Sequence, residues 1–419
     1  MVSRTTPSAA TTDEESFPSL AGPPTAATDA VEQLLLPADS EQRPTLSVVL
    51  PTLNEEDGVA ECIQRIKTAI EHLGIRTEII VSDSSTDRTP EIAREMGARV
   101  VEPDRPGYGY AYRYAFERAR GDYIAMGDAD TTYDFEDLPR LVERLVVTDA
   151  DMVLGSRLDG EIKPGAMPPL HQYVGNPALT AFLNVFYRAG VSDAHSGFRV
   201  FTRGALDTLD LDSDGMEFAS EMIMDASVKD LAIEEVPITY HEREGEATLD
   251  SFHDGWRHVK FMLKNAPGYL FSIPGTAMAV LGMAVMTLAF VSVDLAVAGS
   301  GTVDLGIRSM VAGALLTIVG YQAAGLGLFA TVGSDPIRRP DDRITNWLVE
   351  HVTLERGMVA GLVLFSAGGV YASYLLFQWV AFGYESLPVL THDILAFTLL
   401  VLGVQTVFSS FFMSLIGDA

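Results

Sequence analysis

From Leu46 onward the chain alternates short apolar runs with stretches of helical period, and past about residue 265 the polar positions nearly vanish. In the first half, apolar runs at 46–50, 77–81, 99–101, 123–126 and 152–154 predict buried strands. Between them, apolar residues three and four apart predict helices over 56–73, 88–96, 110–120 and 135–147, the last preceded by polar capping residues. Strand and helix alternating at this spacing imply an α/β domain over residues 45–250, built on a largely parallel sheet whose ligands gather at the carboxyl ends of its strands.

The second half, residues 268–419, predicts an all-α membrane domain. Four runs, 269–293, 309–332, 358–382 and 394–416, are long and apolar enough to span a bilayer, which needs about 20 residues per helix. As core helices of a soluble protein they would have almost no amphipathic coat. Arg257, Lys260 and Lys264 precede the first run, and Arg338, Arg339, Arg343 and Arg356 lie between the second and third. The first link has only Arg308, and residues 383–393 have no Lys or Arg. An excess of cations on the cytoplasmic side then puts the α/β domain and both termini inside the cell. Just before the first run, residues 251–267 mix Trp256, Phe261 and Leu263 with Arg257, His258 and Lys260, a composition suited to a helix at the headgroup layer.

Charge sharpens the picture. The net charge is −28, and lysine occurs only at 67, 163, 229, 260 and 264. An acidic, lysine-poor surface fits a protein kept soluble in concentrated salt, as in a halophile, and argues against a nucleic-acid partner, which calls for basic patches. Residues 1–44 are rich in Thr, Ser, Pro, Ala, Asp and Glu, so a disordered tail is expected there, with no secretory signal. Cys62 stands alone in a helical pattern, which excludes a disulfide framework or cysteine metal site and suggests a small buried residue.

Polar clusters fall after four of the predicted strands: residues 51–56, 82–87, 127–130 and 155–157. Asn, Asp and Ser also cap helices and shape turns, so one such cluster means little; four at one sheet edge mean more. Asp128 and Asp130, one residue apart in a bend, can both reach a hard divalent cation, Mg2+ or Mn2+, that leaves positions open for phosphate oxygens.

The residues VVLPTLNEE (48–56), DSSTDRT (83–89), PGYGYAYRYAF (106–116), GDYIAMGDAD (121–130), GSR (155–157), SDAHSGFRVF (192–201) and EVPITYHEREGEATL (235–249) occur in that order. In them the segment from Leu46 to about Leu249 resembles family 2 glycosyltransferases of the GT-A fold, especially dolichyl-phosphate mannose or glucose synthases and their bacterial polyprenyl-phosphate relatives. The resemblance implies that Pro51, Asn54, Glu55, Asp83 and Asp87, with Asp128, bind a nucleotide sugar, and that Asp128 and Asp130 form the metal–diphosphate pair. It implies catalytic roles for Asp130, Asp193 and Arg157. It also makes Arg199, Arg243 and Lys163 contacts for an acceptor phosphate, Arg157, Arg199 and Arg243 being suited by their paired donors. An alcohol acceptor would need a general base, whereas a lipid phosphate arrives ionised, so Asp193 is open to a positioning role. One departure stands out: Thr248 occupies a place where relatives often have lysine, leaving Lys163, His253 and Arg257 as cations to compensate.

The expected activity is metal-dependent, inverting transfer of one hexose from a UDP- or GDP-sugar to dolichyl or another polyprenyl phosphate, at the cytoplasmic membrane face, feeding glycoprotein N-glycosylation. A processive polysaccharide synthase would carry Gln-x-x-Arg-Trp, and none of Trp256, Trp347 or Trp379 lies in that context. The alternatives are transfer to another lipid-linked or a polysaccharide acceptor, or an inactive sugar-nucleotide-binding membrane scaffold, and self-association stays open.

Overall fold

The computed structural model describes residues 34–244, 251–291, 294–297, 301–304, 306–333, 337, 354–383 and 390–417. In chain order the first elements are β1 (Leu46–Thr52), α1 (Val59–Leu73), β2 (Thr77–Asp83), α2 (Thr89–Glu95), β3 (Arg99–Val101), α3 (Tyr108–Phe116) and β4 (Tyr123–Met126). Then come a 3-10 turn (Phe135–Asp137), α4 (Leu138–Thr148), β5 (Met152–Ile162), α5 (Asn176–Tyr187), β6 (Arg199–Thr202), α6 (Arg203–Thr208), α7 (Phe218–Val228) and β7 (Ile233–Tyr240). The chain continues through α8 (Ser251–Lys264), α9 (Ile273–Phe290), a short hairpin of β8 (Asp294–Val297) and β9 (Gly301–Asp304), α10 (Ile307–Gly333), α11 (Leu354–Ala381) and α12 (Leu390–Gly417). Two compact units result. The first comprises the chain to Asn176 with Val191–Ala219 and Leu231–Thr248; the second comprises Pro177–Gly190, Ser220–Asp230 and the chain from Leu249.

The first unit is a seven-stranded sheet in the order β3-β2-β1-β4-β6-β5-β7. All neighbours are parallel except β6, which runs antiparallel to both β4 and β5. Strands β1 and β2 are buried nearly throughout, without alternation, because both their faces are covered. On one side α1 buries Val59, Cys62, Ile63, Ile66 and Ile70, and α4 buries Leu138, Leu141 and Leu145, in a single core with Leu46, Val48 and Leu50. Cys62 is fully buried, as expected, and burial pushes its thiol up to about 12, so it is an inert core residue.

Three differences from expectation have local causes. Residues 34–44 do not all belong to a tail, since Leu36 is buried and donates its amide to the Thr77 carbonyl at 2.8 Å, capping the end of β2; residues 1–33 lie outside the described residues. Residues 155–157 are not in a loop, because β5 runs on to Ile162, with a register irregularity against β7 between Ser156 and Glu161. Helix α1 begins at Val59 rather than 56, because residues 54–56 are tied to the loop after β2, and Gly58 lies where a Cβ would come within 2.9 Å of the Ala129 carbonyl.

In the second unit four helices, Gly268–Phe290, Ile307–Gly333, Leu354–Ala381 and Thr391–Ile416, are 23 to 28 residues long. At about 1.5 Å per residue each exceeds the roughly 30 Å hydrocarbon thickness. They leave large apolar side chains such as Leu281, Val363, Phe377 and Leu415 exposed, the surface lipid would cover. Helices α9 and α10 meet along glycines: a Cβ on Gly320 would lie 2.3 Å from the Ala279 amide, and one on Gly282 2.5 Å from that of Thr317. Helices α11 and α12 meet likewise at Gly361, Gly368 and Gly403. In the same unit α8 forms where the amphipathic helix was expected, held by the Tyr187 hydroxyl to the Met262 carbonyl at 3.0 Å. Arg338, Arg339, Arg343 and Thr248 lie outside the described residues.

Candidate active site

Six strands of the first unit end on one sheet edge, and the antiparallel β6 starts there, so the loop before it comes to the same place. Asp128 and Asp130 follow β4 at that edge. Asp128 Oδ1 accepts hydrogen bonds from the Tyr108 hydroxyl at 2.9 Å and the Tyr112 hydroxyl at 3.3 Å. Asp130 Oδ1 accepts from the Thr132 amide at 3.2 Å and hydroxyl at 2.6 Å, while its Oδ2 lies 3.5 Å from Arg243 Nη1. Thr131, directly after Asp130, has φ 64°, a left-handed conformation that costs a β-branched residue energy and tightens the turn. Burial, and next the charge of Asp130, raise the Asp128 carboxyl to about 6.

The loops after β1 and β2 are laced together. Asn54, also left-handed at φ 58°, accepts the Thr86 amide on its Oδ1 at 2.9 Å and donates its own amide to the Ser85 hydroxyl at 2.8 Å. Asp83 Oδ1 accepts from the Thr52 hydroxyl at 2.7 Å and the Ser85 hydroxyl at 2.6 Å. Asp87 ties down the start of α2 through the Thr89 amide at 3.0 Å and reaches the Glu56 amide at 3.3 Å, so it acts here as a loop latch. Beside them a recess of ≈ 470 Å³ opens between Asp83 and Ser85 on one side and Glu102, Asp104 and Arg105 on the other. Pro51 sits within β1, paired with Ser82. Glu55 joins this region to the carboxylate pair, because its Oε1 accepts from Arg243 Nη2 at 2.6 Å. Burial pushes the Glu55 carboxyl up to about 7, with Arg243 opposing and Asp130 and Asp128 adding to the shift.

A third group is built on β5 and the loop before β6. Asp193 accepts Arg157 Nε on Oδ2 at 2.7 Å and Nη2 on Oδ1 at 2.8 Å, with the Arg157 amide also on Oδ2 at 3.0 Å. Both side chains are buried. Burial alone would raise the Asp193 carboxyl, but the guanidinium and its hydrogen bonds outweigh that and hold it below the usual range. Glu235 on β7 supports this loop from below, accepting the Ser192 amide at 2.7 Å and the Asp193 amide at 3.2 Å. The Arg157 guanidinium also lies over the Tyr240 ring, 5.3 Å from its centre.

The structure therefore brings together Glu55, Asp130 and Arg243, places Asp128 beside them in the same turn, and joins Arg157 to Asp193. It does not place Arg199 as a phosphate contact. That side chain is fully buried, with Nε donating to the Ser196 carbonyl at 2.8 Å and Nη2 to those of Ala194 at 3.1 Å and Ala219 at 3.0 Å. Arg199 braces the loop that carries Asp193, a role the surface-like motif SDAHSGFRVF conceals. Lys163, just past β5, pairs with the exposed Glu161 at 2.8 Å, and among the described residues it makes no ion pair with the site carboxylates. Tyr108, Tyr112, Thr132 and Glu235 join the site beyond the residues expected from sequence; all but Thr132 lie in the family-like motifs, and two tyrosines four apart on one helix mark that face in the sequence.

The donor set fits a hard divalent cation. Among the described residues, hydrogen bonds take one oxygen of Asp128 and one of Asp130 and neither Oδ2 accepts one, that of Asp130 facing Arg243 Nη1 at 3.5 Å. A Cβ on Gly197 would lie 3.0 Å from Asp128 Oδ2, so the glycine keeps the space beside that oxygen open. Among the described residues no group of three or more His, Cys, Asp or Glu surrounds a point, so water and phosphate oxygens would complete the shell, as is usual for Mg2+.

These features define a glycosyltransferase of the GT-A fold, and the chain belongs to glycosyltransferase family 2. Residues 47–210 match the family described as Glycosyl transferase family 2, and residues 331–417 match the Glycosyltransferase family 2 C-terminal transmembrane region. The chain is 57% identical over 387 residues, 92% of each chain, to the low-salt glycan biosynthesis hexosyltransferase Agl6 of Haloferax volcanii. It is 35% identical over 221 residues, 52% of this chain and 92% of the relative, to a dolichyl-phosphate hexose transferase of the same organism. Among solved structures it is similar to glucosyl-3-phosphoglycerate synthase of Mycobacterium tuberculosis in complex with Mn2+, UDP and glucosyl-3-phosphoglycerate, at 25% identity and a TM-score of 0.43, over 58% of this chain and 84% of that one.

Proposed function

We propose that the protein transfers a single hexose from a UDP- or GDP-sugar to a polyprenyl phosphate, dolichyl phosphate by preference, with its catalytic unit and both termini on the cytoplasmic side. The observation that carries the reading is the carboxylate pair, in which Asp128 Oδ2 accepts no hydrogen bond from the described residues and Asp130 Oδ2 faces only Arg243, in a chain that also bears four helices long enough to cross a membrane. The similarity to a hexosyltransferase of glycan biosynthesis supports the sugar class, and the 35% identical relative supports the acceptor.

Asp83 and the recess beside it would take the base, while Asn54, through its lacing to the Asp83 loop, keeps that recess in shape. Mg2+ or Mn2+ held by Asp128 and Asp130 would supply charge neutralisation for the departing nucleoside diphosphate. An oxygen of the acceptor phosphate attacks the anomeric carbon, the bond from that carbon to the β-phosphate oxygen breaks, and the electron pair leaves with the diphosphate. The acceptor is already ionised near neutral pH, its second pKa being about 6, so no side chain has to remove a proton. Asp193, ionised and bound twice to Arg157, then orients that guanidinium toward phosphate instead of acting as a base. Attack from the face opposite the leaving group gives inversion.

The test is transfer of radiolabel from UDP-glucose, GDP-mannose and other sugar nucleotides into dolichyl phosphate by full-length protein in high salt with Mg2+, beside Asp130→Asn. Lipid-phase label from one donor, lost in the variant, is expected. Metal-dependent nucleotide binding without label in the lipid from any donor would point to a different acceptor or to a scaffold.

A further inference from the structure

Two hydroxyls, one helical turn apart, converge on a single oxygen of Asp128. Tyr108 and Tyr112 lie on one face of α3, their rings edge to face with centres 5.2 Å apart, and both donate to Oδ1. The helix that carries them is closely seated. Tyr112 stacks on Phe218 at 5.5 Å, Gly109 donates its amide to the Asp214 carbonyl at 3.0 Å, and a Cβ on Gly109 would lie 2.3 Å from the Ser213 carbonyl. Arg113 further binds the Asp212 carbonyl at 2.7 Å and Asp214 Oδ1 at 3.0 Å. Phenylalanine would fill the same space without a buried hydroxyl in need of a partner. The hydroxyls therefore make the difference, and among the described residues Asp128 Oδ2 accepts no hydrogen bond, in the space that Gly197 keeps clear.

We propose that Tyr108, backed by Tyr112, is a positioning residue for Asp128: by occupying Oδ1 the two hydroxyls fix the carboxylate so that Oδ2 alone is offered to a divalent cation. The inference rests on the reading above that Asp128 and Asp130 hold such a cation. Partners of this kind, bound to a metal ligand from behind, typically change metal affinity by about 10–100-fold when removed. Tyr108, at the shorter distance, carries the larger share.

The experiment is titration of Mn2+, followed by its electron paramagnetic resonance signal, into full-length protein in detergent with UDP and, separately, with GDP. Nucleotide binding without metal is measured in parallel. Tyr108→Phe is expected to weaken Mn2+ binding about 10-fold or more, and Tyr112→Phe by less, with metal-free nucleotide binding unchanged in both. Unchanged Mn2+ affinity in Tyr108→Phe overturns the inference. A parallel loss of metal-free nucleotide binding overturns it too, since the tyrosine would then merely support the fold. If the unaltered protein binds no Mn2+, or Asp130→Asn binds it equally well, the reading of the carboxylate pair is at fault and the inference falls with it.

Discussion

At the scale of single residues, the buried Arg157–Asp193 pair sets the strongest expectation. Replacing Asp193 by Asn leaves a buried guanidinium without its counter-charge, which costs about 3–5 kcal/mol and should lower the thermal midpoint of the detergent-solubilised protein. The depressed carboxyl of Asp193 contributes stability that is present above its ordinary value of 3.8 and is lost as pH falls through its lower folded value. The acid limb of the stability curve should therefore flatten in Asp193→Asn. Glu55 has the opposite sign. With a folded value of about 7 against an ordinary 4.5, its contribution is complete below 4.5 and is lost as pH rises through 7. In metal- and nucleotide-free buffer, Glu55→Gln should remove part of the fall in thermal midpoint between pH 5 and pH 8, and an unchanged slope would count against the assignment. Legibility at this scale depended on what burial does to a side chain. Asp128 and Asp130 stood out because a bend after a strand exposes carboxylates to a ligand. Arg199 reads in sequence like Arg157, and only the packed loop shows that the side chain is buried with its Nε and Nη2 donating to carbonyls.

At the scale of elements, strands buried on both faces were legible as short apolar runs, and β3 and β4 begin and end where expected. Two features were not legible, because each depends on residues far away in the chain. The antiparallel course of β6 follows from the loop that brings Asp193 to the sheet edge, and the length of β5 follows from its partner β7. In the membrane helices the sequence shows apolarity but not which face packs, which is decided by glycines. Gly320→Val on α10 would force a side chain against the Ala279 backbone of α9. It should destabilise the helix pair by at least the roughly 1–3 kcal/mol typical of overpacking. The expected result is a smaller monodisperse fraction in detergent size-exclusion chromatography than for Gly325→Val, whose added Cβ would meet only the rim of Phe329, 3.9 Å away.

At the scale of the whole molecule, charge distribution and membrane topology have to agree. A net charge of −28 repels itself at low ionic strength, and salt screens that repulsion within about 3 Å at 1 M, so the thermal midpoint should rise between 0.1 M and 2 M KCl. The few cations are placed unevenly. Arg338, Arg339, Arg343 and Arg356 flank the second link, whereas residues 383–393 contain no Lys or Arg. If the cation-rich links stay on the cytoplasmic side, each sheet-domain residue and the second link share a compartment, and the third link is on the other side. Cys62 is the one native cysteine and is buried, so single introduced thiols can report sidedness without interference. In intact cells a membrane-impermeant maleimide should label Ser386→Cys, and should label Thr345→Cys only after the membrane is opened. The reverse pattern would put the carboxylate pair outside the cell, away from the cytoplasmic supply of sugar nucleotides. Labelling of both thiols in intact cells would mean that the helices between them do not cross as four spans.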